Sequence, residues 1–223
     1  MMTYPDHKRA SIANQYKHAL MGRSKMDTHL SSEFLVNTAN EFGTPLYVYH
    51  AEKIKHQFNK LQSALSAADA TIFFACKALT NINILQYIRS IGCNADCSSS
   101  NEVLLALAAG FKPEQILYTS NNISFAELEE VASKEVNINI DSLSNLRKFG
   151  KKFGSTYPVG VRLRPNIMAG GNLKISTGHN NSKFGIPLEQ VDEIVAISRE
   201  TGLIIHGLHI HTGSDIKDVE VFV

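Results

Sequence analysis

No stretch of this 223-residue chain approaches the roughly 18–20 consecutive apolar residues needed to cross a bilayer. Neither sign of charge dominates: 22 Lys and Arg stand against 21 Asp and Glu, a net charge of +1. That balance argues against a nucleic-acid or membrane-surface partner. Cysteine is scarce, limited to Cys76, Cys93 and Cys97. An odd count without zinc-like spacing points away from a metal site or a disulfide framework and towards reduced thiols in a cytoplasm. The first 25 residues are polar, with scattered charges and no apolar core, which excludes a secretory signal. No repeat or low-complexity tract is present.

What remains is an ordinary globular composition, 43% hydrophobic and 19% charged. The chain is long enough for one sizeable core and somewhat short of the roughly 250 residues of a complete eight-fold barrel. After a polar extension over residues 1–30, the pattern predicts a helix over 31–42 and a strand over 46–49, broken by Gly43-Thr44-Pro45. Strands are then expected over 71–76, 93–97, 116–119, 137–140, 159–163 and 203–210. Helices are expected over 51–68, 83–91, 101–109, 124–133, 144–153 and 188–201. Gly110 closes one of these, and Ser124 with Glu127 reads as a capping box opening another. Short apolar strands alternating with amphipathic helices argue parallel β/α units over 50–223. The glycine-rich stretch 169–185 reads as a long loop, of a length that is usually functional or mobile.

In such barrels, chemistry collects at the C-terminal ends of the strands. Polar residues gather there: Lys77, Asp96 and Ser98, Ser120-Asn121-Asn122, Asp141-Ser142, Arg162 and Arg164, and His209-Ile210-His211-Thr212-Gly213-Ser214. A lysine at the mouth of a buried strand is open to desolvation, which favours the neutral amine and suits attack on a carbonyl. The bland alternative is a solvated lysine. His209 and His211, two apart on a strand, share a face and fit either a metal pair or satisfied core groups. Gly213 and Ser214 offer backbone N–H groups and a hydroxyl to a phosphate.

The ordered series Phe74-Ala75-Cys76-Lys77-Ala78, Asn94-Ala95-Asp96-Cys97-Ser98 with Glu102, Ala108-Ala109-Gly110-Phe111, Asn139-Ile140-Asp141-Ser142, Ser176-Thr177-Gly178, Ser182-Lys183-Phe184-Gly185-Ile186 and His209-x-His211-x-Gly213-Ser214 resembles the fold type III pyridoxal-phosphate decarboxylases. Within them it is most similar to the diaminopimelate decarboxylases. The resemblance covers about residue 31 onwards and implies an alanine racemase-like (β/α)8 TIM-type barrel, here incomplete at about six of eight strands. Pyridoxal 5'-phosphate is the implied cofactor and meso-2,6-diaminopimelate the implied substrate, decarboxylated to L-lysine. Lys77 would hold the cofactor and His211 would cover its ring. Ser214, with Gly213, would bind phosphate, and Arg162 would lie near the phenolic oxygen. Asp96 and Glu102 would provide polar support.

Two departures stand out. Arg164 occupies a position where the family usually has asparagine. The chain also stops before the family's glycine-rich phosphate loop, its Glu-Pro-Gly-Arg segment and its C-terminal β domain, so it reads as the N-terminal part of such an enzyme. A homodimer is implied for the full-length enzyme. Alternatives are an inactive remnant or non-catalytic partner, an ornithine, arginine or carboxynorspermidine decarboxylase, and a cofactor-free Schiff-base aldolase barrel. His209 is expected to be structural, Asp96 could cap the next helix, and Asp141-Ser142 reads as turn and cap chemistry. Cys76 and Cys97 read as small buried residues. Arg147, Lys148, Lys151 and Lys152 read as a solvated helix face.

Overall fold

The computed structural model describes residues 30–119, 121–167 and 182–213. Most of the polar extension, Ser120, the 168–181 stretch with its Ser176-Thr177-Gly178 motif, and Ser214 lie outside the described residues. The chain divides into two compact units, residues 1–63 and 64–223.

In the first unit, α1 (Ser32–Phe42) begins at Ser31, whose Oγ accepts the Phe34 N–H at 3.1 Å. Helix α2 (Ala51–Ala64) follows and stops four residues short of the expected end. Residues 46–49, expected as a strand, are not one. A strand is defined by its ladder partner, and this segment has none among the described residues.

The second unit is a parallel sheet. Its strands are β1 (Phe73–Ala75), β2 (Asn94–Cys97), β3 (Ile116–Thr119), β4 (Asn137–Ile140), β5 (Val159–Arg164), β6 (Ile186–Pro187) and β7 (Ile205–Ile210). Strands β1 to β5 pair in chain order, and β7 pairs with β5. The two-residue β6, too short to show a period in the sequence, joins β5 at Leu163 and Arg164. Helices α3 (Ile82–Ser90), α4 (Ser100–Ala108), α5 (Phe125–Ala132), α6 (Leu143–Phe153) and α7 (Val191–Thr201) fill the connections. This is the β/α architecture of a TIM-type barrel carried through six principal strands.

Side-chain caps decide where these helices start. Asn81 Oδ1 accepts from the Asn83 and Ile84 N–H groups, and Ser99, Ser124 and Ser142 each accept the N–H three residues on. Each such cap is worth about 1 kcal/mol. The Ser124 half of the expected capping box forms, while the Glu127 carboxylate accepts from the Tyr118 hydroxyl at 3.0 Å. Helix α4 closes on Gly110, at φ +90, with the Gly110 N–H on the Leu107 carbonyl and the Phe111 N–H on the Ala106 carbonyl. That paired closure needs a left-handed residue, which glycine supplies without a Cβ penalty.

Alternation along the strands separates two faces. One packs under the helices: Ala95, Cys97, Ile116, Tyr118, Ile138, Ile140 and Val161 are buried, against Leu85, Val103, Leu128, Leu146, Phe149 and Ile197. Full burial of one Leu or Phe side chain contributes about 1.5–3 kcal/mol, so this layer carries most of the driving force. On β7 the same face changes character. Leu208 and Ile210, in register with Val161 and Leu163, are 70% and 57% exposed.

Candidate active site

The opposite face of the sheet is polar. Register aligns Ala75 with Asp96, Asp96 with Leu117, Thr119 with Asn139, Asn139 with Gly160, and Arg162 with His209. Asn139 Nδ2 donates to Thr119 Oγ1 at 2.9 Å, which leaves the Thr119 hydroxyl proton for the Asp96 carboxylate. Gly160 makes room for this relay: a Cβ there would lie 2.0 Å from Asn139 Oδ1.

Lys77 sits in a single 3-10 turn (Cys76–Ala78) immediately after β1, anchored by the buried Cys76. Its own side chain is exposed. The desolvated amine expected from the sequence is therefore not what the fold provides, because the strand ends before the lysine and releases it at the rim. Asp96 projects from β2 towards the same rim. Ser99, not Asp96, caps α4, which leaves Asp96 free to face the polar side. Burial raises the Asp96 carboxyl above its ordinary value, and the charge of Glu102 adds to the rise. Lys77, Arg162 and the Thr119 hydroxyl oppose it. Glu102, in the first turn of α4, accepts the Ser98 N–H at 2.6 Å, so it braces the turn between β2 and α4.

Arg162 is the hub. It is 7% exposed, and its guanidinium lies 4.6 Å from the centre of the Phe184 ring. Burial lowers its pKa, and the carboxylates of Asp141 and Asp96 hold it charged. Burial also pushes His209 down to about 4, aided by Arg162 and His211, so this imidazole is neutral near pH 7. Its Nδ1 is a buried polar atom without a hydrogen-bond partner. Burial lowers His211 as well, with Arg162 and Lys77 reinforcing the shift. Gly213 follows the buried Thr212. Lys77, Asp96, Glu102, Arg162 and His211 thus share one electrostatic neighbourhood at the C-terminal rim.

Three residues that the sequence reading named within motifs but gave no site role belong to the same rim. Asp141, read as turn chemistry, faces Arg162 and accepts from Asn121 Nδ2 at 2.9 Å. Its two-residue offset from Asn139 was the available signal. Phe184 covers Arg162, and Gly185 explains how. At φ +73, its Cα approaches β5 so closely that a Cβ would lie 2.9 Å from the Leu163 carbonyl carbon. Beside the rim, a cavity of about 450 Å³ is lined by Asn121, Asn122, Asp141, Ser142, Lys148 and Lys183, among others. It shares Asp141 with the site but none of Lys77, Asp96, Arg162 or His211.

Cys76 and Cys97 are fully buried, with sulfurs 3.9 Å apart and no disulfide. The thiol hydrogen bond to Cys76 and burial both push the Cys97 thiol up, which suits the packing role expected of it. Arg147 and Lys152 pair with Glu200 and Glu129 on an exposed helix face.

Residues 51–223 match the family model described as pyridoxal-dependent decarboxylase, pyridoxal binding domain. The chain belongs to this family. A diaminopimelate decarboxylase from Methanothermobacter thermautotrophicus is 35% identical over 190 residues, 84% of this chain and 44% of the relative. A crystal structure of diaminopimelate decarboxylase from Helicobacter pylori complexed with L-lysine matches at a TM-score of 0.77 and 28% identity. That match covers 83% of this chain and 48% of the other. Lysine/ornithine decarboxylase from Vibrio vulnificus, complexed with putrescine, matches at a TM-score of 0.69 and 25% identity, covering 83% and 47%. The chain spans a little under half the length of the relatives it matches.

The rim fits the family's cofactor, pyridoxal phosphate. It presents a primary amine for an aldehyde, a half-buried imidazole for a ring face, a desolvated guanidinium for an oxygen, and a buried nitrogen on His209 lacking a partner. Among the described residues, no cluster of His, Cys, Asp or Glu could hold a metal ion, and no helix is long and apolar enough to cross a membrane.

Proposed function

We propose that the chain is the N-terminal, cofactor-holding portion of an enzyme that decarboxylates meso-2,6-diaminopimelate to L-lysine. The observation that carries the reading is the convergence of Lys77, Asp96, Arg162 and His211 on one rim of a pyridoxal-binding fold. Lys77 Nζ would hold the cofactor's aldehyde carbon, and its exposed position gives it the reach to do so. His211, with its proton affinity lowered by burial and by Arg162 and Lys77, would present its ring to the cofactor's face. Arg162 donates N–H groups while Asp96 and Asp141 balance its charge. Glu102 holds the turn that orients Asp96. Gly213 and Ser214 would take the phosphate, as the resemblance implies. The bound cofactor supplies the electron sink for the pair left when the α-carboxylate departs as carbon dioxide.

The same reading extends to a homodimeric full-length enzyme and a cytoplasmic setting. The cytoplasmic part is supported by three buried cysteines without a disulfide. A second substrate reading, lysine or ornithine, is favoured by the Vibrio vulnificus neighbour.

The test has two arms. Mixing the protein with pyridoxal phosphate gives a visible absorption band from covalent capture, and Lys77→Ala abolishes it. The full-length enzyme then releases carbon dioxide from diaminopimelate. An unchanged band in the variant overturns the role of Lys77, and turnover of ornithine or lysine alone moves the substrate to the second reading.

A further inference from the structure

The 182–186 segment is held by more than its own turn. Arg164 Nη1 donates to the Ser182 carbonyl at 2.6 Å, and Arg164 Nε donates to Asn166 Oδ1 at 3.3 Å. Asn166 Nδ2 in turn donates to Glu189 Oε1 at 2.6 Å. Asn166 sits at φ +57, a left-handed conformation that asparagine tolerates better than most residues, and this turns its carboxamide back towards Arg164. On the other side, Asn121 Nδ2 donates to both the Lys183 carbonyl and Asp141 Oδ2, at 2.9 Å each. Inside the segment, Ser182 Oγ accepts the Phe184 N–H at 3.2 Å. The carbonyls of Ser182 and Lys183 are therefore each pinned by a side chain from a different part of the chain, and the residue that follows them is the one stacked on Arg162.

We propose that Arg164, Asn166 and Glu189 form a latch that seats Phe184 over Arg162 and so keeps that guanidinium dry and aimed at the cofactor. Arg164 is a positioning residue: it acts on Arg162 through the segment it holds. Its planar fork serves two acceptors at once, which a lysine ammonium in the same place cannot reproduce with the same geometry. The functional half of the inference rests on the reading of Arg162 as facing pyridoxal phosphate. The structural half does not.

Two measurements separate them. In the absence of cofactor, tryptic cleavage after the exposed Lys183 is timed against cleavage after the exposed Lys151, which lies outside the latch. Losing a hydrogen bond from a charged donor costs about 1.5–3 kcal/mol, so Arg164→Asn accelerates cleavage at Lys183 by roughly 10-fold or more. Arg164→Lys gives a partial effect. Glu189→Ala also accelerates cleavage, whereas Glu189→Gln, which keeps the acceptor oxygen, stays near wild type. Equal cleavage in Arg164→Asn and wild type overturns the latch.

The second measurement is pyridoxal phosphate affinity from its absorption. Arg164→Asn and Phe184→Ala each weaken binding by roughly 10-fold, and the double variant is no weaker than the worse single one, because both act through the same stack. Additive losses overturn the route through Phe184. If the wild-type chain captures no cofactor, the function proposed above fails while the cleavage result still decides the latch.

Discussion

Replacing Gly160 by alanine tests the polar face without reference to any ligand. The new Cβ would stand 2.0 Å from Asn139 Oδ1 and 3.2 Å from its Cγ, whereas the nearest atom outside Asn139, the Gly207 carbonyl oxygen, is at a comfortable 3.6 Å. The carboxamide of Asn139 must therefore move, and its bond to Thr119 Oγ1 goes with it. A lost hydrogen bond costs about 1 kcal/mol, and a partly buried group left unsatisfied adds about 1–3 kcal/mol, so Gly160→Ala destabilises by about 2–4 kcal/mol. In an Asn139→Ala background the obstacle is gone, and the same substitution costs well under half of that. Urea titrations of the four proteins in a double-mutant cycle should yield a coupling of about 2 kcal/mol, within the range seen for contacting residues. Additive effects of the two substitutions would refute the argument, since they would mean that the carboxamide is not what fills the space.

Other consequences are open to equally direct measurement. Arg162→Met leaves Asp96 and Asp141 without their buried counter-charge and destabilises by about 3–5 kcal/mol. The Asp96 carboxyl is already raised above its unfolded value and rises further without Arg162, so its penalty grows as pH increases. The deficit of Arg162→Met should accordingly be larger at pH 8 than at pH 4, and a deficit independent of pH counts against it. His209, pushed down to about 4, adds stability above pH 6.5 that is lost as pH falls towards 4. The loss is about 2 kcal/mol after allowance for partial exposure. His209→Asn should flatten that part of the acid unfolding curve. With the Cys97 thiol pushed up and Cys93 raised to about 11, both buried, iodoacetamide at pH 8 should label neither until the chain is unfolded in urea.

The alternation of strands and helices was legible because each element carries its own period, and the helix starts were legible because Ser and Asn caps are local. Residues 46–49 show the limit of that logic. Their apolar run is strand-like, but pairing is a property of two segments, and a sequence window holds only one. The expected desolvation of Lys77 fails for a related reason: one residue decides whether a side chain lies inside a strand or beyond its end. Asp141 and Phe184 acquire their meaning from Arg162, 21 and 22 residues away respectively, a relation carried by register and by the close seat of Gly185. The sequence marked Arg164 as unusual. Only the two bonds it donates show what it holds.

The 3-10 turn at the end of β1 has an energetic consequence. Cys76 is fully buried and fixes the backbone, so the neighbouring lysine is a mobile arm on an immobile post. An arm of that length surrenders about 1.5–2 kcal/mol of rotamer freedom when its tip is tied down. That cost is subtracted from whatever free energy the capture of an aldehyde releases, so contacts elsewhere on the rim, at Arg162 and His211, would raise retention by offsetting it.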